Sequence, residues 1–154
     1  KIGAMGIKNY KQKEIEKNPP VKKKLVKDYM TSQLITFKPD TNVLDIANTL
    51  LEKRITGAPV LDDDGNVVGL IDDKDCLRIV VDTLYHNQPI VSHTAKEYMT
   101  NVMTTVDINT DILEVANIFL TTPYKRLVVT DKKGKLRGNI SRRDILRAIH
   151  DMSV

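Results

Sequence analysis

The sequence predicts an α/β (α+β) fold in which two pseudo-symmetric β-α-β-β-α repeats pack together through their sheets. Two observations support this prediction: the chain matches itself at an offset of 69 residues, and each copy has the same order of helical and strand patterns. Between residues 28–77 and 97–146, sixteen of fifty positions are identical and no gap is needed. Such self-similarity indicates two copies of one supersecondary unit. Because two copies are too few for a solenoid, we expect a pair that shares one core.

The first helix of each copy is predicted by apolar residues that recur at helical spacing. A threonine precedes each run, and Thr41 and Thr110 are the expected N-caps. The apolar positions are Val43, Leu44, Ala47, Leu50 and Leu51 in the first copy, and Ile112, Leu113, Ala116, Phe119 and Leu120 in the second.

A β-hairpin and a second helix follow in each copy. The expected strands are 58–61 and 67–71 in the first copy, and 126–130 and 136–140 in the second. The intervening turns contain Gly65 and Gly134, and glycine suits a hairpin turn that requires positive φ. The second helices are expected from 73 to about 85 and from 142 to about 151.

Charge divides the chain into an arm and a body. Residues 1–27 carry nine Lys and two Glu, a net charge of +7, whereas the remainder has a net charge of −3. We therefore expect a basic arm over 1–25, a first repeat over 26–88 and a second over 89–154. A lysine-rich arm is able to bind nucleic acid or anionic lipid, although such arms are more often solvated tails.

The composition favours a folded, cytoplasmic protein without a membrane span. The chain is 41% hydrophobic, and no apolar run approaches the roughly 20 residues that a spanning helix needs. No stretch is typical of a secretory signal. The single cysteine, Cys76, cannot form an internal disulfide, which agrees with a reducing compartment.

The stretch GNISRRDIL, residues 138–146, raises a choice between a helix cap and a ligand site. Ser141 and Asp144 have the spacing of a capping box, and Asp72 and Asp75 have the same spacing in the first copy. A helix N-terminus also suits a phosphate group. Arg142 and Arg143 offer further donors to phosphate oxygens, and Asp144 is able to accept hydrogen bonds from a ribose diol.

The ordered series of motifs resembles the CBS (cystathionine β-synthase) domain, and the two copies resemble the paired form called a Bateman module. The resemblance covers about 26–150. It rests on YMTSQLITFKPDTNVLDIANTLLEKRITGAPVLDDDGNVVGLIDDKD and on YMTNVMTTVDINTDILEVANIFLTTPYKRLVVTDKKGKLRGNISRRD. Each element alone is a weak motif, but the whole series found twice is specific.

The resemblance implies an adenosine ligand in a cleft between the repeats. In the family pattern G-h-h-[ST]-x-x-D, a hydroxyl lies near phosphate and the Asp binds ribose. Gly138, Ser141 and Asp144 match it, although Asn139 is polar where the family prefers an apolar residue. The residues that the resemblance places against the base are Ile35, Thr36, Ile55, Thr56, Gly57, Ala58 and Pro59. Plain core and strand packing is the alternative for these side chains.

The counterpart cleft departs from this pattern. Asp72 replaces the hydroxyl and Asp73 replaces the first arginine, so that a phosphate would face carboxylates. Tyr124, Lys125 and Arg126 are expected on its opposite wall, with Asp75 remaining for a ribose. We expect this second site to be empty or to select a less charged ligand.

Other chemistries find little support in the sequence. Asp62, Asp63 and Asp64 with Asp72 and Asp73 could offer oxygen ligands to Mg²⁺, but such residues are more often turn and cap residues. The three histidines lack metal-ligand spacing. No nucleophile–base pair and no Walker or Rossmann glycine loop is present. We therefore expect no catalytic residues, no metal and no required cofactor.

The sequence and the resemblance together predict a regulatory module that binds AMP, ADP or ATP, with NAD and S-adenosylmethionine as further ligand candidates. The resemblance also implies a homodimer, and the composition predicts no membrane partner. Two alternatives remain open: a ligand-free dimerisation or interaction scaffold, and nucleic-acid binding through the arm.

Overall fold

The computed structural model describes residues 23–32, 34–90, 93–101 and 104–153. The order is α1 (Val26–Tyr29), α2 (Val43–Lys53), β1 (Gly57–Leu61), β2 (Val67–Asp72), α3 (Asp73–Tyr85), α4 (Ala95–Tyr98), β3 (Thr105–Asp107), α5 (Ile112–Thr121), β4 (Arg126–Thr130), β5 (Leu136–Ser141) and α6 (Arg142–Met152). The predicted fold class is confirmed. Most of the predicted arm, residues 1–22, lies outside the described residues.

Each repeat contains a small sheet that includes a β-hairpin. Strands β1 and β2 form a two-stranded antiparallel sheet, and β3, β4 and β5 form a three-stranded sheet in that order. Gly65 and Gly134 have φ values of 82° and 77° in the two hairpin turns. The predicted need for glycine at these turns is therefore confirmed.

The first strand of the predicted unit is complete only in the second repeat. Strand β3 pairs in parallel with β4, whereas its counterpart in the first repeat is an isolated bridge between Phe37 and Val60. Pro59 has no amide hydrogen, so it cannot donate the next hydrogen bond of the ladder. In the first repeat this strand of the predicted β-α-β-β-α unit is thus reduced to a single parallel bridge.

The expected N-caps of the first helices were each one residue too early. The Asn42 side chain accepts a hydrogen bond from the Leu44 amide, and Asp111 does the same for Leu113. The Thr41 and Thr110 hydroxyls instead accept hydrogen bonds from the amides of Lys38 and Asp107, respectively, and close the preceding turns. Both residue pairs are good capping residues, so composition alone did not separate them.

The opening helices are exchanged between the repeats. Helix α1 belongs to the first repeat in sequence, but Val26 is fully buried in the second core with Val106, Ile112 and Val115. Conversely, Ala95 and Tyr98 of α4 lie in the first core. The chain after each helix therefore crosses to the other repeat, and each core is built from both copies.

Two glycines allow these crossings. At Gly138 a Cβ atom would overlap the carbonyl oxygen of Thr31, and at Gly69 it would overlap the Met99 side chain. The crossing segments are fixed there by paired backbone hydrogen bonds, Thr31 with Asn139 and Thr100 with Leu70.

Within the part of the chain that the structure describes, no helix is long and apolar enough to span a bilayer.

Candidate functional site

A cleft of about 510 Å³ lies between the two repeats. It is lined by Thr31, Leu34, Ile35, Lys53, Arg54, Ile55, Thr56, Gly57, Pro59, Lys125, Arg126, Asn139 and Ser141. Both apolar and cationic residues contribute, and none of the described residues that line it is acidic. Its volume lies within the usual range of 300–1,000 Å³ for small-molecule sites.

One wall of the cleft contains most of the residues expected beside a base. Ile35, Ile55, Thr56, Gly57 and Pro59 all line it. They come together because the segment before α2 pairs with β1, where Phe37 and Pro59 share a backbone hydrogen bond of 3.0 Å.

Two residues of the expected base site do not line the cleft. Ala58 points to the opposite face of β1 and is buried in the first core because strand side chains alternate. Thr36 is exposed beside Ile35 and is absent from the lining.

Ser141 reaches the cleft from the other repeat and caps helix α6. Its Oγ accepts a hydrogen bond from the Asp144 amide at 3.3 Å, and its own amide donates to Asp144 Oδ2 at 2.8 Å. The expected capping box is therefore present. Ser141 nevertheless lines the cleft, so the cap and a ligand contact are compatible there.

Asp144 is 4% exposed and already has protein partners. Besides the Ser141 amide, its carboxylate accepts hydrogen bonds from the Ser141 hydroxyl at 3.1 Å and from Arg147 at 2.6 Å. Asp144 lies directly behind Ser141 and is not part of the cleft lining. A ribose contact would require one of its oxygens to turn toward the ligand or to accept a further hydrogen bond.

The two arginines of the SRRD stretch do not line the cleft. Arg142 donates to the carbonyl oxygen of Tyr124 at 3.1 Å, and Arg143 lies in a groove between α1 and α6 with Leu146 and His150. Successive residues of a helix point in directions about 100° apart, so they cannot both follow Ser141 into one cleft. The expectation that both arginines add phosphate donors is not met in this arrangement.

Four other cationic side chains line the cleft. Lys53 and Arg54, at the end of α2, line the cleft, and sequence reasoning missed them. Arg54 is the C-cap of α2 with φ 54°, a left-handed conformation that ends the helix. The basic pair at the predicted helix end was the available signal, because the residues expected beside the base follow it directly.

Lys125 and Arg126 were expected in the second cleft, opposite Asp75, but they line the first. The guanidinium of Arg126 donates a hydrogen bond to the Thr56 hydroxyl. Tyr124 does not line this cleft, and its side chain is partly exposed. The expected grouping of these three residues is therefore divided in the structure.

Asp75 occupies the counterpart of Asp144 and is 6% exposed. Its carboxylate accepts the Asp72 amide at 3.0 Å and the Thr100 hydroxyl at 3.3 Å. Burial, together with the charge of Asp72, raises the pKa of Asp75 above its ordinary value. Asp72 caps α3 by accepting the Asp75 amide, as the sequence predicted.

The other acidic and nucleophilic candidates have structural partners. Asp62 accepts the amides of Asp64 and Asn66 within its turn. Among the residues with described positions, no group of three His, Cys, Asp or Glu side chains is placed to hold a metal ion. Burial raises the pKa of the Cys76 thiol to about 11, so it stays protonated and poorly nucleophilic at neutral pH.

Comparison with known proteins identifies the repeats. The family model of the CBS domain matches residues 26–82 and 95–151. CBSX1, a chloroplastic CBS domain-containing protein of Arabidopsis thaliana, is 34% identical over an alignment of 148 positions that covers 80% of this chain and 63% of CBSX1. The chain thus spans less than two thirds of that relative's length.

Two solved structures with bound adenosine compounds are similar to this fold. The crystal structure of CBSX2 in complex with AMP superposes with a TM-score of 0.74 at 32% identity, covering 84% of this chain and 98% of that one. The CBS domain pair of protein MJ0100, crystallised with 5′-methylthioadenosine and S-adenosyl-L-methionine, gives a TM-score of 0.69 at 25% identity, covering 82% and 99%.

Proposed function

Because the chain belongs to the CBS domain family and carries two CBS repeats, we propose that it is a regulatory module that binds an adenine nucleotide between them. One observation carries the proposal: a cleft of about 510 Å³ joins small and apolar residues of the first repeat to Ser141 of the second. The binding of AMP by CBSX2, at 32% identity, supports the same ligand class.

Each part of such a ligand finds suitable chemistry. Ile35, Ile55 and Pro59 offer an apolar slot for the base. The Ser141 hydroxyl and the cleft cations are donors for phosphate. Asp144, behind Ser141, is the acceptor for the ribose. S-adenosylmethionine and NAD remain further candidates, but the cations favour an anionic ligand.

Binding would regulate by linking the repeats. A ligand that contacts both walls stabilises the arrangement of the repeats in which the walls are close. It also raises the free energy of unfolding by mass action. We propose that this change in conformation or stability is the signal, and that the module itself catalyses no reaction.

Thermal unfolding tests the proposal. AMP, ADP and ATP at millimolar concentration should raise the melting temperature, and the guanine nucleotides should do so less, because backbone groups in an apolar slot reject a changed base edge. Ile55→Glu places a carboxylate in the base slot and should abolish the shift, whereas Leu51→Glu, on an exposed position of α2, should not. An unchanged melting temperature with every adenosine compound would contradict the proposal.

A homodimer is the second part of the proposal, and the apolar helix surfaces support it. Helix α3 exposes Leu77, Val80, Val81, Leu84 and Tyr85, and α6 exposes Leu146, Ile149 and Met152. Contiguous exposed apolar surface of this kind is typical of protein interfaces. It equally supports the scaffold alternative, in which dimerisation is the function and the cleft remains without a ligand.

The mass of the protein in solution tests the dimer. Light scattering after gel filtration should give twice the chain mass, and Leu84→Asp should give a monomer. Glu52→Asp, a conservative change at an exposed position, is the matched control. Nucleic-acid binding through the arm, residues 1–25, stays a prediction, and it requires an affinity for nucleic acid with steep salt dependence. The cytoplasmic location also stays a prediction.

A further inference from the structure

The internal repeat gives the molecule two similar apolar faces. The first face is the exposed side of α2 and α3, and the second face is the exposed side of α5 and α6. Exposed apolar residues of the first face recur 69 positions later on the second, where they are exposed as well. These pairs are Leu44 and Leu113, Leu51 and Leu120, Leu77 and Leu146, and Val80 and Ile149. One second copy of the chain is able to cover both faces, because a two-fold dimer of such a molecule contains two contacts.

Two arrangements close a dimer of this kind. In a head-to-head dimer, each face meets the same face of the partner. In a head-to-tail dimer, the first face of each protomer meets the second face of the other. The apolar residues are equivalent on the two faces and therefore favour neither arrangement. The choice depends on the charged residues that surround them.

The charges differ beside the exposed leucines of α2 and α5. A groove of about 340 Å³ between α5 and α6 is lined by Ala116, Phe119, Leu120, Arg142 and Ile145. Arg142 therefore lies beside Leu120, which is 81% exposed. On the first face the equivalent of Arg142 is Asp73, and the equivalent of Thr121 is Glu52. The second face is therefore more positive than the first.

The other charged residues of these helices do not cancel this difference. Their equivalents agree in sign, as in Asp45 and Glu114, Lys74 and Arg143, Arg78 and Arg147, and Asp82 and Asp151. Lys53, at the end of α2, lines the cleft between the repeats. The contrast between the faces thus rests on Asp73 and Glu52 against Arg142.

We propose that the protein forms a head-to-tail dimer, in which Asp73 and Glu52 of one protomer face the partner's Arg142. This inference rests on the dimer that forms part of the proposed function. A head-to-head dimer would bring like charges together around each apolar contact, where exclusion of water strengthens their repulsion. Arg142 donates to the Tyr124 carbonyl oxygen at 3.1 Å, and a guanidinium has five N–H donors, so donors remain for a carboxylate of the partner.

Reversal of charge on one face tests the arrangement. Asp73→Arg and Arg142→Asp should each raise the dissociation constant of the dimer about tenfold or more, because the reversed charge acts at both contacts. The protein with both substitutions should return close to the unaltered constant, since opposite charges face each other again. In a head-to-head dimer neither single substitution changes attraction into repulsion, and the constant stays the same. Sedimentation equilibrium measures it.

Lys133→Asp is the matched control for Arg142→Asp. It makes the same change of charge at an exposed position of the second hairpin turn, outside both faces. The dissociation constant should not change. Asp73→Asn and Arg142→Gln remove one charge without reversing it, and they should weaken the dimer less and in the same direction. These milder variants decide the question if a charge reversal prevents folding, as judged by circular dichroism.

Mixing two variants gives an independent test. Leu84→Asp alters the first face and Ile149→Asp alters the second, and both positions are exposed. In a head-to-tail dimer each variant alone has two altered contacts, whereas a mixed dimer regains one unaltered contact. Light scattering should therefore show monomers for each variant and dimers for the mixture. In a head-to-head dimer the opposite holds, because each variant alone keeps one unaltered contact and the mixed dimer has none.

The outcomes separate this inference from the proposed dimer. If the unaltered protein is a dimer and the single charge reversals leave its dissociation constant unchanged, or if the double variant does not recover, the head-to-tail arrangement is wrong and the dimer remains. If the unaltered protein is a monomer at every concentration, both fail.

Discussion

Asp144 shows how one buried carboxylate stabilises a helix start and a site together. It accepts the Ser141 amide and the Arg147 guanidinium, and Arg147 also donates to the carbonyl oxygen of Tyr29 at 2.9 Å. The spacing of Ser141 and Asp144 predicted the cap. Asp144 and Arg147 are three residues apart on α6, a spacing at which helix side chains meet. The contact of Arg147 with Tyr29 could not be predicted, because it depends on helix α1, which arrives from the other repeat.

Asp144→Ala should lower the free energy of unfolding by about 1.5–3 kcal/mol, because it removes charge-assisted hydrogen bonds in a buried position. It should also weaken the binding of adenosine compounds if the ribose lies beside it. Asp75→Ala is the matched variant at the equivalent cap position. With no arginine partner described for Asp75, its cost should be nearer 1 kcal/mol. Urea unfolding measures both, and a larger cost for Asp75→Ala would contradict this account.

The raised pKa of Asp75 predicts a pH dependence. The folded protein retains this proton at pH values where the unfolded chain, with an ordinary value of 3.8, has lost it. Asp75 therefore makes the free energy of unfolding fall as the pH rises from 3.8 through the folded-state pKa. Asp75→Asn cannot ionise, so the difference between variant and unaltered protein should move in favour of the variant over that range. Urea unfolding at a series of pH values measures it, and a constant difference would refute the prediction.

At the scale of the elements, the internal repeat predicted the hairpin and the two long helices of each copy and most of their bounds. It did not predict the short opening helices α1 and α4, or which of them packs on which core. Because the two copies are alike, α1 on its own repeat and α1 on the other repeat give nearly the same pattern of apolar contacts. The choice depends on the length and path of the chain between α1 and α2, which periodicity does not describe.

Gly138→Ala should destabilise the protein by about 1–3 kcal/mol, because the new Cβ would overlap a backbone oxygen, Thr31 O, that cannot move independently. Gly69→Ala should cost less, since the first atoms that it meets belong to the flexible side chain of Met99. Thermal unfolding of both variants gives the comparison. Equal costs would show that the crossing segments adjust equally well on both sides.

At the scale of the whole molecule, the sequence predicted a basic arm over 1–25 and a folded body that begins at residue 26. Val26 is fully buried in the second core, with 0% exposure. The amide of Ile112 donates to the carbonyl oxygen of Lys24 at 3.0 Å. The charge pattern groups residues 1–27 as one basic segment. The last residues of that segment nevertheless contact the second repeat.

Removal of residues 1–22 should therefore leave the free energy of unfolding nearly unchanged, whereas removal of 1–27 should lower it by at least about 2 kcal/mol through the loss of a buried side chain. Urea unfolding of both truncated proteins measures the difference. Val26→Ala in the full chain is the control, because it alters the core without changing charge. If both truncations behave alike, α1 does not contribute to the second core in solution.

The exchanged helices also determine the order in which the parts of the chain are able to fold during synthesis on the ribosome. Tyr29 meets its partner Asp151 122 positions later, through a hydrogen bond of 2.7 Å. During synthesis the first hairpin and its helices emerge early, but α1 has no core to pack on until nearly the whole chain has been made. Contacts of such long separation in sequence slow folding. Until the rest of the chain is made, the first half exposes Val26 and the surface of the first core that α4 later covers. A neighbouring nascent chain on the same messenger offers an equivalent helix, so tandem synthesis carries a risk of swapped dimers.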